Sequence, residues 1–362
     1  MQLSVIYLII IILEICFMRL NKIEITFQFG DSQIIKKIKQ NIEELNSLCN
    51  FRPLIILSNG HISTMFNTVK YNKNKYERKY LFMKDGGRVA IDILDVKNSN
   101  LPTILLLPGI GGNYRSSYIQ SATSLLHENN YRVIVHNFRG CSYKITTDRT
   151  YSYGNTEDTE EIIRWIIKKY SGKIIGCGFS VGANIITKYM GTTNEDIKSD
   201  LFHSLCGAIT VGNGYFINWG YEIVEKSFLD IYNNIFLNKI KKAWNNKLGY
   251  DIKTVYEFDN KITRKIYGYD TMYDFIRIES CGNYLKNITK PVIFINSLDD
   301  PVLPKHVEKF CQYIAKKNNN LLFMYTNYGG HLSFRKDLFS IDSVIDDVIL
   351  TCCNSIKLFN IL

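Results

Sequence analysis

Gly178-Phe179-Ser180-Val181-Gly182 is the segment whose residue types and spacing point most directly to chemistry. A serine with glycine two positions before and two after fits the G-x-S-x-G turn, which joins a strand to a helix and lifts the hydroxyl clear of the sheet. A side chain at either glycine would collide with neighbouring backbone. The turn also sets the Val181 N–H at the start of a helix, where the dipole favours negative charge. The flanks agree with this reading, since residues 174–176 read as a strand and 181–190 as a helix.

A serine nucleophile needs a base, and with this turn the chain order is serine, acid, histidine. Ser297-Leu298-Asp299-Asp300-Pro301 follows an apolar strand at 291–296, and Tyr328-Gly329-Gly330-His331 follows another at 321–325. Both are loops at the carboxyl ends of strands, where catalytic groups gather in open parallel sheets. His331, flanked by glycines and one of only 6 histidines, is the candidate base. Asp299 and Asp300 compete for the acid. Asp300 is preferred because an aspartate four residues ahead of a proline, here Pro304, is the commoner loop spacing in such sheets. The oxyanion donors expected are the backbone N–H groups of Val181 and Ile110, the latter in the loop Pro108-Gly109-Ile110-Gly111-Gly112. The chemistry implied is two-step acyl transfer through an acyl-serine, with no metal or organic cofactor called for. Dehalogenase or epoxide-hydrolase chemistry would need a carboxylate at position 180.

The elements that must position these groups alternate regularly. Strands are read at 89–93, 103–107, 132–136, 173–176, 208–211, 291–296 and 321–325, with helices at 118–127, 155–169 and 181–190 between them. Continuous apolar strands separated by helices of this length make βαβ units and a mostly parallel sheet flanked by helices. From 212 to 290 the alternation stops. There Val224, Phe228, Ile231 and Ile235 fall at helical spacing, which predicts an amphipathic helix, either packed on the core or in a cap whose apolar side walls an acyl chain. The expected organisation is a membrane anchor at 1–20, an arm of helix and loop at 21–80, and a catalytic domain at 81–362 with its helical cap at about 213–285.

Composition narrows the partners. A formal charge of +10 is scattered instead of clustered with aromatics, so nucleic acid is not expected, and attraction to anionic lipid headgroups is the functional alternative to a solvated surface. The 9 cysteines form neither zinc spacing nor a disulfide framework and read as free, mostly buried thiols, Cys177 among them. Residues 3–18 are apolar except for Ser4 and Glu14 and are followed by Arg19 and Lys22, which predicts a single-pass N-terminal anchor.

Taken together, these segments resemble a known family. Pro108-Gly109-Ile110, the run from His136 to Cys141, the run from Gly178 to Gly191, the run from Asn296 to Pro301, and Gly329-Gly330-His331 are similar to the membrane-bound α/β-hydrolases of the abhydrolase domain-containing 1/2/3 (YheT-like) family. Asn59-Gly60-His61-Ile62-Ser63-Thr64 also resembles that family's N-terminal N-G-H-x-x-T stretch, with Ser63 where glutamine is usual. The resemblance implies an α/β-hydrolase fold, a Ser180–Asp300–His331 triad, and lipase, phospholipase or esterase activity on lipid esters. It also implies a membrane partner and residence in the endoplasmic reticulum or another endomembrane. An acyltransferase on the same triad and a non-catalytic lipid-binding protein on the same scaffold remain the alternatives. His61 is expected to tie the arm to the core, and Arg139 to pair with an acidic neighbour.

Overall fold

A computed structural model describes residues 22–66, 70–192, 204–227, 230–244 and 251–359. Among these residues nine strands form one sheet: β1 (Ile25–Phe29), β2 (Glu77–Phe82), β3 (Arg88–Leu94), β4 (Thr103–Leu107), β5 (Arg132–Asn137), β6 (Ile174–Phe179), β7 (Leu205–Val211), β8 (Val292–Ser297) and β9 (Leu321–Thr326). The spatial order is β1-β9-β8-β7-β6-β4-β5-β3-β2. Strands from β5 through β4, β6, β7 and β8 to β9 are parallel, while β3, β2 and β1 join antiparallel at the two edges.

The apolar runs make the sheet an interior layer. Every residue of β4, β5, β6, β7, β8 and β9 is buried. Because side chains alternate along a strand, Leu105 and Leu107 pack on one face with Ile162, Ile163 and Ile166 of α4 (Glu157–Lys169) and Ile185 and Ile186 of α5 (Val181–Gly191). Ile104 and Leu106 pack on the other with α1 (Gln33–Glu43), α3 (Ser117–Glu128) and α10 (Val344–Phe359).

Topology places the site. The chain runs from β4 outward to β5, then returns past β4 to lay down β6, β7, β8 and β9 on its other side. The direction of winding therefore reverses between β4 and β6, and a crevice opens there at the carboxyl ends of the strands. The loop 108–112 and Ser180 sit at those two ends.

Three readings of the sequence differ from the structure. Residues 25–29, expected in an arm of helix and loop, form an edge strand paired with β9, and α1 behind them contributes Ile35, Ile38 and Ile42 to the core. The single amphipathic helix expected through 224–235 is two helices, α6 (Ile217–Glu225) and α7 (Ile231–Ala243). Ser227 closes the first by donating to the Val224 carbonyl at 2.7 Å. Asp230 then turns the chain with a left-handed φ of 53°. Val224 is buried, Ile231 is exposed, and Phe228 lies outside the described residues.

The third correction concerns the membrane anchor and the endomembrane residence expected with it. Among the described residues no helix is long and apolar enough to cross a membrane. The longest of them, α10, has 16 residues, against the ~20 that a span needs. The apolar run 3–18 lies outside the described residues.

Candidate active site

Ser180 follows β6 directly and begins α5 with φ 53° and ψ −114°, a strained conformation for a residue with a side chain. The flanking glycines have steric reasons. A Cβ at Gly178 would lie 2.4 Å from the Gly182 carbonyl oxygen, and one at Gly182 would lie 2.1 Å from that of Leu107. The strained turn is held by the Ser180 N–H donating to the Val211 carbonyl at 2.9 Å.

The structure brings Ser180, His331 and Asp300 into one chain of hydrogen bonds. His331 Nε2 lies 3.0 Å from Ser180 Oγ, and His331 Nδ1 lies 2.7 Å from Asp300 Oδ2. Asp300 is almost wholly buried, with a side-chain exposure of 1%. Its other oxygen, Oδ1, accepts from the Val302 N–H at 2.9 Å. Asp299 faces elsewhere: its Oδ1 accepts the Gly330 N–H at 2.8 Å, so it braces the histidine loop without touching the ring. Burial raises the Asp299 pKa above the ordinary carboxylate value.

The loop after β4 packs against the serine, since a Cβ at Gly109 would lie 3.1 Å from Ser180 Cβ. The Gly109 and Gly111 N–H groups donate to the phenol oxygens of Tyr118 and Tyr151, both at 3.0 Å, and the Gly112 N–H donates to the Gly109 carbonyl. Among the described residues the N–H groups of Ile110 and Val181 meet no protein acceptor. Tyr118 and Tyr151 are thus positioning residues that the sequence reading missed. Nothing local marks them, because each acts on a loop 9 or 40 residues away.

A second group, singled out in the sequence but not assigned to the site, comes from α2 (Gly60–Phe66). Asn59 caps this helix, its side-chain oxygen accepting from the N–H groups of His61 and Ile62. Thr64 Oγ1 accepts the His331 backbone N–H at 2.8 Å and donates to the Gly60 carbonyl at 2.6 Å. Gly60 admits no side chain, since a Cβ there would lie 1.9 Å from the Asp299 carbonyl oxygen. His61, expected to tie the arm to the core, meets the hydroxyl of the buried Tyr232 in α7 through Nδ1 at 2.9 Å. Arg139 pairs as expected, with Asp85 at 2.5 Å and Asp158 at 2.6 Å.

Above the serine the insertion between β7 and β8 encloses a cavity with ≈ 960 Å³ of empty space, counting its open mouth. Its walls are mostly apolar and include Ile217, Val224, Phe236, Ile240, Val255 and Phe258, with Ser180 and His331 at the floor. Among the described residues no cluster of three or more His, Cys, Asp or Glu side chains is arranged to hold a metal ion.

A strained serine after a central parallel strand, a histidine and a buried aspartate on later strand ends, and a glycine loop at the switch point define the α/β-hydrolase class. The chain belongs to the α/β-hydrolase family, whose model matches residues 102–336. It is 30% identical over 294 residues to the human (Homo sapiens) phospholipase ABHD3, covering 75% of this chain and 70% of that one. It is 27% identical over 314 residues to monoacylglycerol lipase ABHD2 of Danio rerio, covering 78% and 71%. Among solved structures, the Pf2001 esterase of Pyrococcus furiosus shares the fold with a TM-score of 0.52 at 16% identity, covering 73% of this chain and 87% of that one.

Proposed function

We propose that this chain hydrolyses carboxylic esters of lipid-like molecules through an acyl-enzyme on Ser180. It is an ester hydrolase by family, and relatives carry the names phospholipase and monoacylglycerol lipase. The observation that carries the finer reading is the chain of hydrogen bonds from Ser180 through His331 to Asp300 at the floor of a largely apolar cavity.

In this mechanism His331 Nε2 takes the Ser180 proton as Oγ attacks the ester carbonyl. The tetrahedral oxyanion is held by the Ile110 and Val181 N–H groups. His331 gives its proton to the leaving alcohol oxygen as the C–O bond breaks. Water, deprotonated by the same imidazole, then releases the acid from Ser180. Asp300, not Asp299, orients the ring and stabilises the imidazolium. The catalytic domain takes in β1, α1 and β2 as well as 81–362, with 213–285 as a cap that gives the acyl chain a dry wall.

A fluorophosphonate probe tests this reading. Wild type should be labelled and should hydrolyse p-nitrophenyl esters, while Ser180→Ala should lose labelling and several orders of magnitude in rate with its fold intact. Labelling that persists in Ser180→Ala refutes the nucleophile. An unlabelled, inactive wild type favours a lipid-binding protein, and acyl transfer to added alcohols in place of release as free acid favours an acyltransferase.

A further inference from the structure

Ser180, His331, Ile110 and Phe236 also line a second cavity, with ≈ 530 Å³ of empty space counting its open mouth. Its wall includes Met65, Tyr118, Tyr232 and Ile235, and it carries one cation, Lys239 of α7. The lysine stem is pressed on the oxyanion loop, because a Cβ at Gly111 would lie 2.6 Å from Lys239 Cβ. Burial, with Lys70 beside it, lowers the Lys239 pKa, and no carboxylate opposes them. Its ammonium, half-buried, lies 6.0 Å from the centroid of the Phe236 ring, and among the described residues it pairs with no carboxylate.

Lys70 and Cys141, both within the electrostatic reach of Lys239, line an open groove. Lys70, Arg78, Arg115, Lys144 and Lys242 contribute its charge, and among the described residues no Asp or Glu lines it. Arg78 is neutralised by Asp92 at 2.7 Å. Among the described residues the other four pair with no carboxylate. Ser180 and Lys239 thus line one cavity, and Lys70, whose charge acts on Lys239, lines a basic groove with Lys242. A neutral ester would leave that charge unmatched. Lysine is a compact point charge suited to phosphate.

We propose that Lys239, with Lys70 and Lys242 behind it, binds the phosphate diester of a glycerophospholipid whose acyl ester lies at Ser180. The inference rests on the ester-hydrolase reading above and assigns the second cavity to the headgroup side of the substrate, with the larger cavity holding the acyl chain.

The test compares two soluble monomeric substrates of equal acyl length, dihexanoyl phosphatidylglycerol and dihexanoylglycerol, so that adsorption to a lipid surface plays no part. The readout is the ratio of their kcat/KM values. Lys239→Met should lower the phospholipid-to-neutral ratio roughly 10- to 100-fold, the scale of one charge-assisted hydrogen bond. Lys239→Arg should restore most of it. Lys70→Met and Lys242→Met, on the open groove, should lower the ratio by smaller factors even if Lys239→Met folds poorly. Equal losses on both substrates, or an unchanged ratio, overturn the assignment. Inhibition by inorganic phosphate with an unchanged ratio marks a free-phosphate site and also overturns it. Wild type that cleaves dihexanoylglycerol but not the phospholipid defeats this inference alone, whereas wild type that cleaves neither defeats the ester-hydrolase reading with it.

Discussion

Asp300→Asn tests the proposed acid because the geometry fixes where the new amide must point. Asp300 Oδ1 accepts the Val302 N–H at 2.9 Å, and Oδ2 lies 2.7 Å from His331 Nδ1. An asparagine that keeps its carbonyl on Val302 therefore presents its NH₂ to Nδ1. The imidazole must then accept at Nδ1 and carry its proton on Nε2, which faces Ser180 Oγ at 3.0 Å. Nε2 becomes a donor to the hydroxyl it should deprotonate. The corresponding tautomer error in a serine protease lowers kcat about 10⁴-fold, which corresponds to about 5 kcal/mol of transition-state stabilisation. Asp299→Asn is the control: its Oδ1 can still accept the Gly330 N–H, so the brace on the histidine loop is kept. That variant should stay within roughly tenfold of wild type, since no bond to the imidazole changes. Both are assayed as kcat/KM on p-nitrophenyl butyrate, with circular dichroism melts to confirm folding. A larger loss in Asp299→Asn than in Asp300→Asn, or an Asp300→Asn variant within tenfold of wild type, refutes the assignment.

Thr64→Val removes the acceptor of the His331 backbone N–H and the donor to the Gly60 carbonyl. Leaving such a group unsatisfied costs about 1–3 kcal/mol, so kcat should fall roughly 5- to 150-fold with little change in KM, while Thr64→Ser should keep most activity. Equal losses in the valine and serine variants would point to packing instead of the hydroxyl. Asp346, buried in the first turn of α10 against Ser121, has its pKa raised to about 7, chiefly by burial. The native state thus holds a proton that the unfolded chain releases once pH exceeds its ordinary value of 3.8. The stability this contributes is full below that value and is lost as pH rises through about 7. Asp346→Asn should therefore raise Tm relative to wild type more at pH 8 than at pH 5.5, and an equal shift at both would count against a buried neutral carboxyl.

How far the fold was legible depends on how locally each element is determined. The strands from β4 to β9 are apolar enough to read directly, because burial on both faces leaves no alternation to confuse with a surface helix. β1 and β2 escaped because they are edges. Their half-exposed patterns carry Gln28, Glu77, Arg78 and Lys79, and β1 becomes a strand only by pairing with β9, about three hundred residues away in the chain. The insertion was misread for the opposite reason. A helical period continued across Ser227 and Asp230, whose local bonds and backbone end one helix and start another.

The site divides in the same way. Ser180 is legible because the glycines on either side answer to backbone contacts built within the turn itself and from the adjacent strand. His331 and Asp300 are legible because strand ends in an open parallel sheet are where such groups collect. The groups that hold them in place are not legible, because each meets a partner from a distant segment. The run from Asn59 to Thr64 shows the consequence. Asn59 caps its own helix, Gly60 lies against the Asp299 carbonyl, and His61 holds Tyr232 of the insertion. Ser63 donates to the Gly329 carbonyl, and Thr64 holds the His331 N–H. Five of six consecutive residues thus have separate partners, and they span the acid loop, the histidine loop and the insertion. A search for reacting groups passes over this segment because none of its side chains reacts. Its density follows once α2 is seen as the joint at which those three parts of the chain meet.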